Sequence, residues 1–285
     1  MGPTAPLSPT HIEPEGAGHR CRRCCGVDGA QPSWQSRLMA MPDAGDDRAR
    51  SFGRGAADYR RARPPYPAEA IRWLVPAGAQ RVLDLAAGTG KLTEGLVALG
   101  FEVIAVEPDD AMRAELVAAV PAATAMVGAA EAVPLPAGAV DAVVVAQAWH
   151  WFTTGRAVPE IARVLRPGGR VGVVWNVRDH TRAWVEDFTQ LIHRGDSLEP
   201  LHREPKLGHL FGPVEHATFT WTHRIPAGDL RTLAASRSHT LTLPPAEQLR
   251  LLDDVDALAR THPDLAGRTE IELPYRTECW RASLR

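Results

Sequence analysis

Between residues 81 and 175, short apolar runs alternate with helical stretches. The runs read as strands: Arg81–Leu85, Glu102–Val106, Thr124–Val127, Val140–Val145 and Arg170–Trp175. Helices are predicted between them at Lys91–Leu99, Asp110–Ala119 and Arg156–Leu165. Strand–helix alternation of this kind predicts an α/β fold, a doubly wound and mostly parallel sheet with helices on both faces. Local signals support the boundaries. Pro108 followed by Asp109 and Asp110 starts a helix with an acid able to cap its first turn. Arg166-Pro-Gly-Gly169 is a turn between helix and strand. Upstream, Pro64, Pro65 and Pro67 mark a rigid turn, Pro67 begins a helix through Glu69–Val75, and Pro76-Ala-Gly78 ends it. After Trp175 the alternation stops. Thr181–Arg194 reads as helix and Val214–Arg224 as a strand. Ala246–Arg260, with Leu249, Leu252, Val255 and Leu258 on one face, reads as a helix, and Thr269–Trp280 as a final strand bent at Pro274. No internal repeat is present.

Residues 1–50 are rich in Pro, Gly, Ala and Arg and show no sustained period, so they are expected to be a disordered leader, with order beginning near Phe52. Met39 or Met41 is an alternative natural start. The remaining residues, 51–285, divide into a cofactor-binding core, 51–176, and C-terminal strands and helices, 177–285, that cover its active edge.

Composition narrows the classes. The chain has 285 residues, 45% of them hydrophobic, which is ample for a core. Its net charge of -2 gives no broad attraction to nucleic acid or to acidic membranes. The basic clusters Arg20–Arg23 and Arg60–Arg63 read as solvated. No apolar run reaches the roughly 18 residues that span a bilayer, and the N-terminus lacks the apolar core of a secretory signal. Four cysteines, three of them crowded at Cys21, Cys24 and Cys25, make neither a disulfide framework nor a complete zinc site. The eight histidines from His180 to His262 show no metal-ligand spacing, so no metal is expected and a reduced, cytoplasmic setting is the default. Trp184, Trp221 and Trp280 read as core residues.

The chemistry concentrates at residues 82–90, Val-Leu-Asp-Leu-Ala-Ala-Gly-Thr-Gly, an apolar strand running into a glycine turn and then a helix. Glycines let the backbone approach a ligand, and Glu107, ending the next strand, can grip a ribose diol. The spacing is not that of the NAD fingerprint: after Gly88-Thr-Gly90 the chain continues Lys91-Leu-Thr93, and the third glycine is missing. A second segment, Ala146-Gln-Ala-Trp-His-Trp-Phe152, follows the fourth strand, on the carboxyl edge where ligands bind in open α/β sheets. Trp149, Trp151 and Phe152 either line a chamber suited to a sulfonium cation or pack under the C-terminal helices. His150 is the candidate general base, its reference pKa lying near neutrality.

These residues resemble the class I S-adenosylmethionine-dependent methyltransferases, more narrowly the small-molecule branch that includes trans-aconitate and quinone-type methyltransferases. The resemblance is carried by Val82-Leu-Asp-Leu-Ala-Ala-Gly-Thr-Gly90, Val106-Glu-Pro108, Gly128-Ala-Ala-Glu-Ala-Val-Pro134, Asp141-Ala-Val-Val-Val145 and Leu165-Arg-Pro-Gly-Gly169, in that order. Upstream, Ser51-Phe-Gly53 and the stretch from Tyr59 through Arg63-Pro-Pro-Tyr-Pro67 are similar to the same branch. It implies a Rossmann-like sheet of seven strands, the last antiparallel, and S-adenosylmethionine as cofactor. It also implies roles. Asp84 and the turn Ala86, Gly88, Thr89 and Gly90 hold the methionine part. Glu107, followed by Pro108, takes both ribose hydroxyls. Ala130 and Glu131 lie beside adenine, and Gln147 lies beneath the cofactor. Tyr59 and Arg63 close over it, with Arg63 meeting its carboxylate. Two positions depart from the family pattern. Ala86 replaces a frequent glycine, so the turn is expected in an alanine-compatible conformation. Ala129 replaces a frequent acid, leaving adenine to Glu131 or to backbone groups.

The implied activity is methyl transfer to a small-molecule acceptor at oxygen, nitrogen or a carboxylate. Gln147-Ala-Trp149 stands where many methylases of nucleic acid bases carry Asn/Asp-Pro-Pro-aromatic, which also favours a small acceptor over nucleic acid. Two alternatives remain at this point: a cofactor-binding regulator without turnover, and an NAD-dependent oxidoreductase.

Overall fold

A computed structural model describes residues 56–195 and 203–285, all within one compact unit, Pro42–Arg285. The leader, its cysteine cluster, the Ser51-Phe-Gly53 motif and His202 lie outside the described residues. Seven strands form one sheet in the order β3-β2-β1-β4-β5-β7-β6. They are β1 (Arg81–Leu85), β2 (Glu102–Val106), β3 (Thr124–Met126), β4 (Val140–Ala146), β5 (Leu165–Arg178), β6 (Glu215–Pro226) and β7 (Glu270–Ser283). Neighbours from β3 to β5 pair in parallel, and β7 is antiparallel to both β5 and β6. The sheet is thus the doubly wound, mostly parallel sheet expected, with its last strand reversed.

The helices are α1 (Ala56–Ala62), α2 (Ala68–Leu74), α3 (Lys91–Ala98), α4 (Asp110–Ala119), α5 (Thr154–Val164), α6 (Ala183–Ile192), α7 (Asp229–Ala235), α8 (Ser238–Thr242) and α9 (Pro245–Thr261). Asp109 caps α4 as expected, its carboxylate accepting the Met112 N–H at 2.8 Å. Arg166–Gly169 loops out between two stretches of β5 paired to β4: Leu165 lies opposite Val140, and pairing resumes with Arg170 opposite Ala142.

Strand periodicity sorts the core into two faces. Leu83 and Leu85 of β1 join the apolar cluster under α5, while Val82 joins Ile71 and Leu74 of α2 and Leu92 and Leu96 of α3 on the other face. Asp84 falls on the α3 side by the same alternation. A third cluster sits over the carboxyl ends of the long strands. It combines Ala62 of α1, Trp184, Val185, Phe188 and Ile192 of α6, Leu230 and Leu233 of α7, Leu251 and Val255 of α9, and Ile271, Leu273 and Tyr275 of β7. Trp184 and Trp280 are buried as predicted, whereas Trp221 is half-buried, stacked on Tyr275 at 5.4 Å.

Candidate active site

The order of strands reverses between β1 and β4, and the residues that leave these two strands share an unusual backbone. Ala86 has φ 58° and Gln147 has φ 59°, both in the left-handed region. This corrects the expectation for Ala86: the turn keeps the glycine-type conformation and the alanine adopts it, at a cost of ~1–2 kcal/mol. The ladder explains why the conformation persists. The next residue, Ala87, donates its N–H to the Val106 carbonyl of β2 at 3.1 Å, and Gln147 donates its N–H to Val174 of β5 at 2.9 Å.

Gly88 and Gly90 also have positive φ, 57° and 81°. A side chain at Gly88 would stand in open space, so the backbone there is bare toward any ligand. A Cβ at Gly90 would lie 2.8 Å from Leu116 Cγ, so this glycine is needed to seat α3 against α4. Glu107 is buried and draws the turn and the next loop together: one carboxylate oxygen accepts the Gly88 N–H at 2.8 Å and the other the Asp109 N–H at 2.9 Å. Burial raises its pKa above the ordinary value, opposed by those two N–H groups. Pro108, between the two, is exposed.

Asp84 has no exposed surface. One oxygen accepts the Thr93 hydroxyl at 2.6 Å. The other has no partner, and neither has the buried hydroxyl of Thr89. Burial pushes the Asp84 carboxyl up to about 7, with the Glu107 charge adding to the rise and the Thr93 hydroxyl opposing it. Two orphaned buried oxygens, a bare glycine turn and a carboxylate beside it fit an amino acid linked to a nucleoside: an ammonium would satisfy Asp84, and ribose hydroxyls have Glu107 within reach.

On the other side of the switch point, Gln147 sits between Tyr66 and β5. It hydrogen-bonds the Tyr66 side chain and donates from Nε2 to the Asn176 carbonyl at 3.2 Å. Burial, with Tyr59 and Asp84 nearby, raises the Tyr66 pKa and keeps the phenol protonated. Trp149, His150 and Trp151 form a single 3-10 turn. Trp149 is buried in the sheet core against Phe152, with ring centroids 5.6 Å apart. Trp151 and Phe152 stay half-buried. The His150 ring packs 4.4 Å from Trp151, its Nδ1 has no partner, and burial lowers its pKa to about 4. Ala130 is buried, and Glu131 accepts the Thr153 N–H at 2.8 Å, tying the loop after β3 to the start of α5.

Helix α1 lies over the glycine turn. Arg60 donates to the Thr89 carbonyl and pairs with Glu94 of α3 at 2.8 Å. Arg63 stacks its guanidinium 4.6 Å from the Tyr59 ring and donates to the Ser236 carbonyl after α7 at 3.0 Å, while its Nε is buried without a partner. The Arg60–Arg63 cluster, expected to be solvated, therefore ties the C-terminal end of α1 to the glycine turn and α3 through Arg60, and to the end of α7 through Arg63. Sequence reasoning missed Arg60, Tyr66, Thr93 and Asn176. For Tyr66 a signal existed, its place inside Arg63-Pro-Pro-Tyr-Pro67. For the others only the folded contacts reveal a role. Among the described residues no group of His, Cys, Asp or Glu could hold a metal, and the one cysteine, Cys279, is buried with its thiol pushed up to about 12.

Comparison with known proteins decides the family. A methyltransferase domain model matches residues 83–173. An uncharacterized methyltransferase of Mycobacterium tuberculosis strain H37Rv is 48% identical over 238 residues, covering 84% of this chain and 97% of that protein. The chain belongs to the class I S-adenosylmethionine-dependent methyltransferases. An uncharacterized methyltransferase-like protein of Schizosaccharomyces pombe is 34% identical over 80% of this chain and 93% of its own length. Among solved structures, one from Anaeromyxobacter dehalogenans assigned to the type II methyltransferases superposes with TM-score 0.59 at 27% identity, covering 78% of this chain and 97% of that one. The methyltransferase family is defined by its donor, so membership implies S-adenosylmethionine. No helix among the described residues is long and apolar enough to cross a membrane.

Proposed function

We propose that this methyltransferase moves a methyl group from S-adenosylmethionine to a small-molecule acceptor. The observation that carries the reading is Glu107 drawn against the bare Gly88 turn, with Asp84 and Thr89 left unsatisfied beside it. When bound, S-adenosylmethionine supplies a methyl carbon on a sulfonium sulfur; a lone pair of the acceptor bonds to that carbon and the C–S electron pair stays on sulfur.

The chain's own task is alignment and exclusion of water. Asp84 and Arg63 hold the ammonium and carboxylate of the donor's methionine part, and the Ala86, Gly88, Thr89 and Gly90 turn supports it. Glu107, with Pro108 beside it, orients the ribose. Ala130 and Glu131 flank the adenine, with one Glu131 oxygen already committed to Thr153. Gln147 supports the centre from below, and Tyr59 on α1 covers it. Trp151 and Phe152 line the acceptor side, backed by the buried Trp149. Residues 177–285 form the substrate cover over the 51–176 core. His150 is neutral at pH 7, and a group whose conjugate acid has a pKa of about 4 is a weak base for catalysis at neutral pH. Its place beside Trp151 suits it to hydrogen-bond the acceptor, and the reading favours an acceptor that attacks without giving up a proton.

Calorimetry with S-adenosylhomocysteine and with NAD tests the cofactor reading. Micromolar binding of the first and none of the second is expected; binding of NAD alone would sink it. Turnover then separates an enzyme from a binding protein: release of S-adenosylhomocysteine in the presence of a metabolite panel is expected, and its absence across the panel favours a regulator.

A further inference from the structure

Where the strand order reverses, a phenol stands among the groups that hold the donor. Strands β1 and β4 run side by side with Asp84 opposite Val144. Gln147, three residues beyond Val144, is therefore level with the glycine turn, one strand spacing, ~5 Å, away. The Tyr66 oxygen lies against the Gln147 amide, which donates to it, the sense in which the contact favours the phenolate. The same oxygen is close enough to Asp84 and Arg63 to feel both charges. It thus meets the residue that takes the donor's ammonium, the one that takes its carboxylate and the one beneath its centre.

The fold fixes that phenol tightly. Pro65 and Pro67 flank Tyr66. Both have a set φ, and Tyr66 itself, preceding a proline, is confined to extended backbone. The Pro65 carbonyl accepts the Asn176 side-chain N–H at 2.9 Å, and the Pro67 carbonyl accepts the Ile71 N–H of α2 at 3.1 Å. Asn176 works in two further directions. Its Oδ1 accepts the Thr277 hydroxyl at 2.6 Å, and its backbone carbonyl accepts the Gln147 Nε2 at 3.2 Å. Behind it the buried Thr277 oxygen accepts the Trp221 indole N–H at 2.9 Å. Arg178 fastens the end of β5 to the Thr189 hydroxyl of α6 at 2.9 Å. One residue of β5 thus holds the Tyr66 loop and orients Gln147, whose φ of 59° needs such support.

A buried tyrosine that serves packing alone gives its proton to the protein. Among the described residues nothing accepts the proton of Tyr66; its one hydrogen bond is the one it receives from Gln147. The hydroxyl is therefore free for a ligand. The donor's sulfur links the amino-acid chain to the ribose. With the ammonium on Asp84 and the ribose on Glu107, the sulfonium falls between them, and Gln147 and Tyr66 stand on the β4 side of that span. A neutral phenol suits the position. Its free lone pair attracts the sulfonium charge and the polarised methyl hydrogens, whereas a phenolate would take the methyl itself. Burial, with Tyr59 and Asp84 nearby, keeps the phenol protonated.

We infer that Tyr66 is a catalytic residue, its oxygen facing the sulfonium methyl of the donor, and that Asn176 is the positioning residue that holds it and Gln147 there. The inference rests on the methyl-transfer reading, since it places a residue relative to the donor. It gives the site a means of telling S-adenosylmethionine from its product S-adenosylhomocysteine, which lacks both the charge and the methyl. The ammonium, carboxylate and ribose are common to the two, so Asp84, Arg63 and Glu107 cannot make that distinction.

The test is calorimetry of the full chain without acceptor, titrated with S-adenosylmethionine and separately with S-adenosylhomocysteine. The readout is the ratio of the two affinities. Tyr66→Phe is expected to weaken S-adenosylmethionine about two- to tenfold relative to S-adenosylhomocysteine, the span of one neutral hydrogen bond. Asn176→Ala and Thr277→Val shift the ratio the same way by less, and Thr277→Ser, which keeps the hydroxyl, leaves it at the wild-type value. A purely structural role would lower both affinities together and leave the ratio alone. Equal weakening of both ligands in Tyr66→Phe, up to loss of both, or an unchanged or opposite ratio, would overturn the role of Tyr66. An unchanged or opposite ratio in Asn176→Ala would overturn that of Asn176. Failure of the wild type to bind S-adenosylhomocysteine at all would instead strike at the underlying reading.

Discussion

Asp84 is an acid held in its protonated range by the fold. Its pKa of about 7 lies above the ordinary 3.8 because burial opposes the charge. Between about pH 4 and pH 7 the folded chain keeps a proton that the unfolded chain has released. Raising the pH through that window therefore removes stability, and this group changes nothing further above it. Urea melts of the ligand-free protein are expected to show that fall, and Asp84→Asn to flatten it. A bound ammonium favours the ionised acid, so affinity for S-adenosylhomocysteine is expected to strengthen from pH 5 to about 7 in calorimetry and then level off. At this scale the sequence was informative where chemistry and spacing coincide. Asp84, Gly88 and Glu107 stand at the ends of strands that announce themselves by apolar runs. Arg60 and Arg178 do not, because a guanidinium on a polar stretch carries no period, and its partners lie 29 and 34 residues away for Arg60 and 11 and 15 for Arg178.

Elements were legible in proportion to their length and to the regularity of their apolar positions. The strands and helices of 81–175 fall within a few residues of their expected ends, as does α9 with its row of leucines. Helix α1 was missed since Ala-Ala-Asp-Tyr-Arg-Arg-Ala has no apolar stripe. Its position depends on Arg60 and Arg63. Removing the first tie is expected to loosen the helix selectively: in Arg60→Ala, amide exchange over residues 56–62 should quicken about tenfold, as loss of one charged hydrogen bond predicts. Exchange in α3 should stay unchanged. Equal protection in the variant would assign the placement of α1 to Arg63 and Ala62 alone. Helices α7 and α8 escaped notice for a related reason: they are short, and α7 earns its place by packing Leu230 and Leu233 into the cap rather than by propensity.

For the whole molecule the question is whether cover and core unfold together. Strand β7 belongs to both, contributing Ile271, Leu273 and Tyr275 to the cap and Cys279, Trp280 and Ala282 to the sheet. One cooperative transition is therefore expected. Phe188→Ala, cut from the centre of the cap cluster, should lower its free energy by ~3–5 kcal/mol without splitting it. A two-step denaturation curve in the variant would show that the cap stands alone.

The sheet order leaves one further consequence. A sheet ends in two bare ladders, and each is an invitation to a stray strand from another chain. At one end β3 is only three residues long, too little to template anything. At the other, β6 runs for twelve. Its exposed positions His216, Thr218, Thr220, Thr222 and Arg224 present a polar row, Glu215 and Arg224 are paired to Arg281 and Glu272 of β7, and Pro226 ends it. The long edge is thus guarded against stray pairing by polar and paired side chains rather than by brevity.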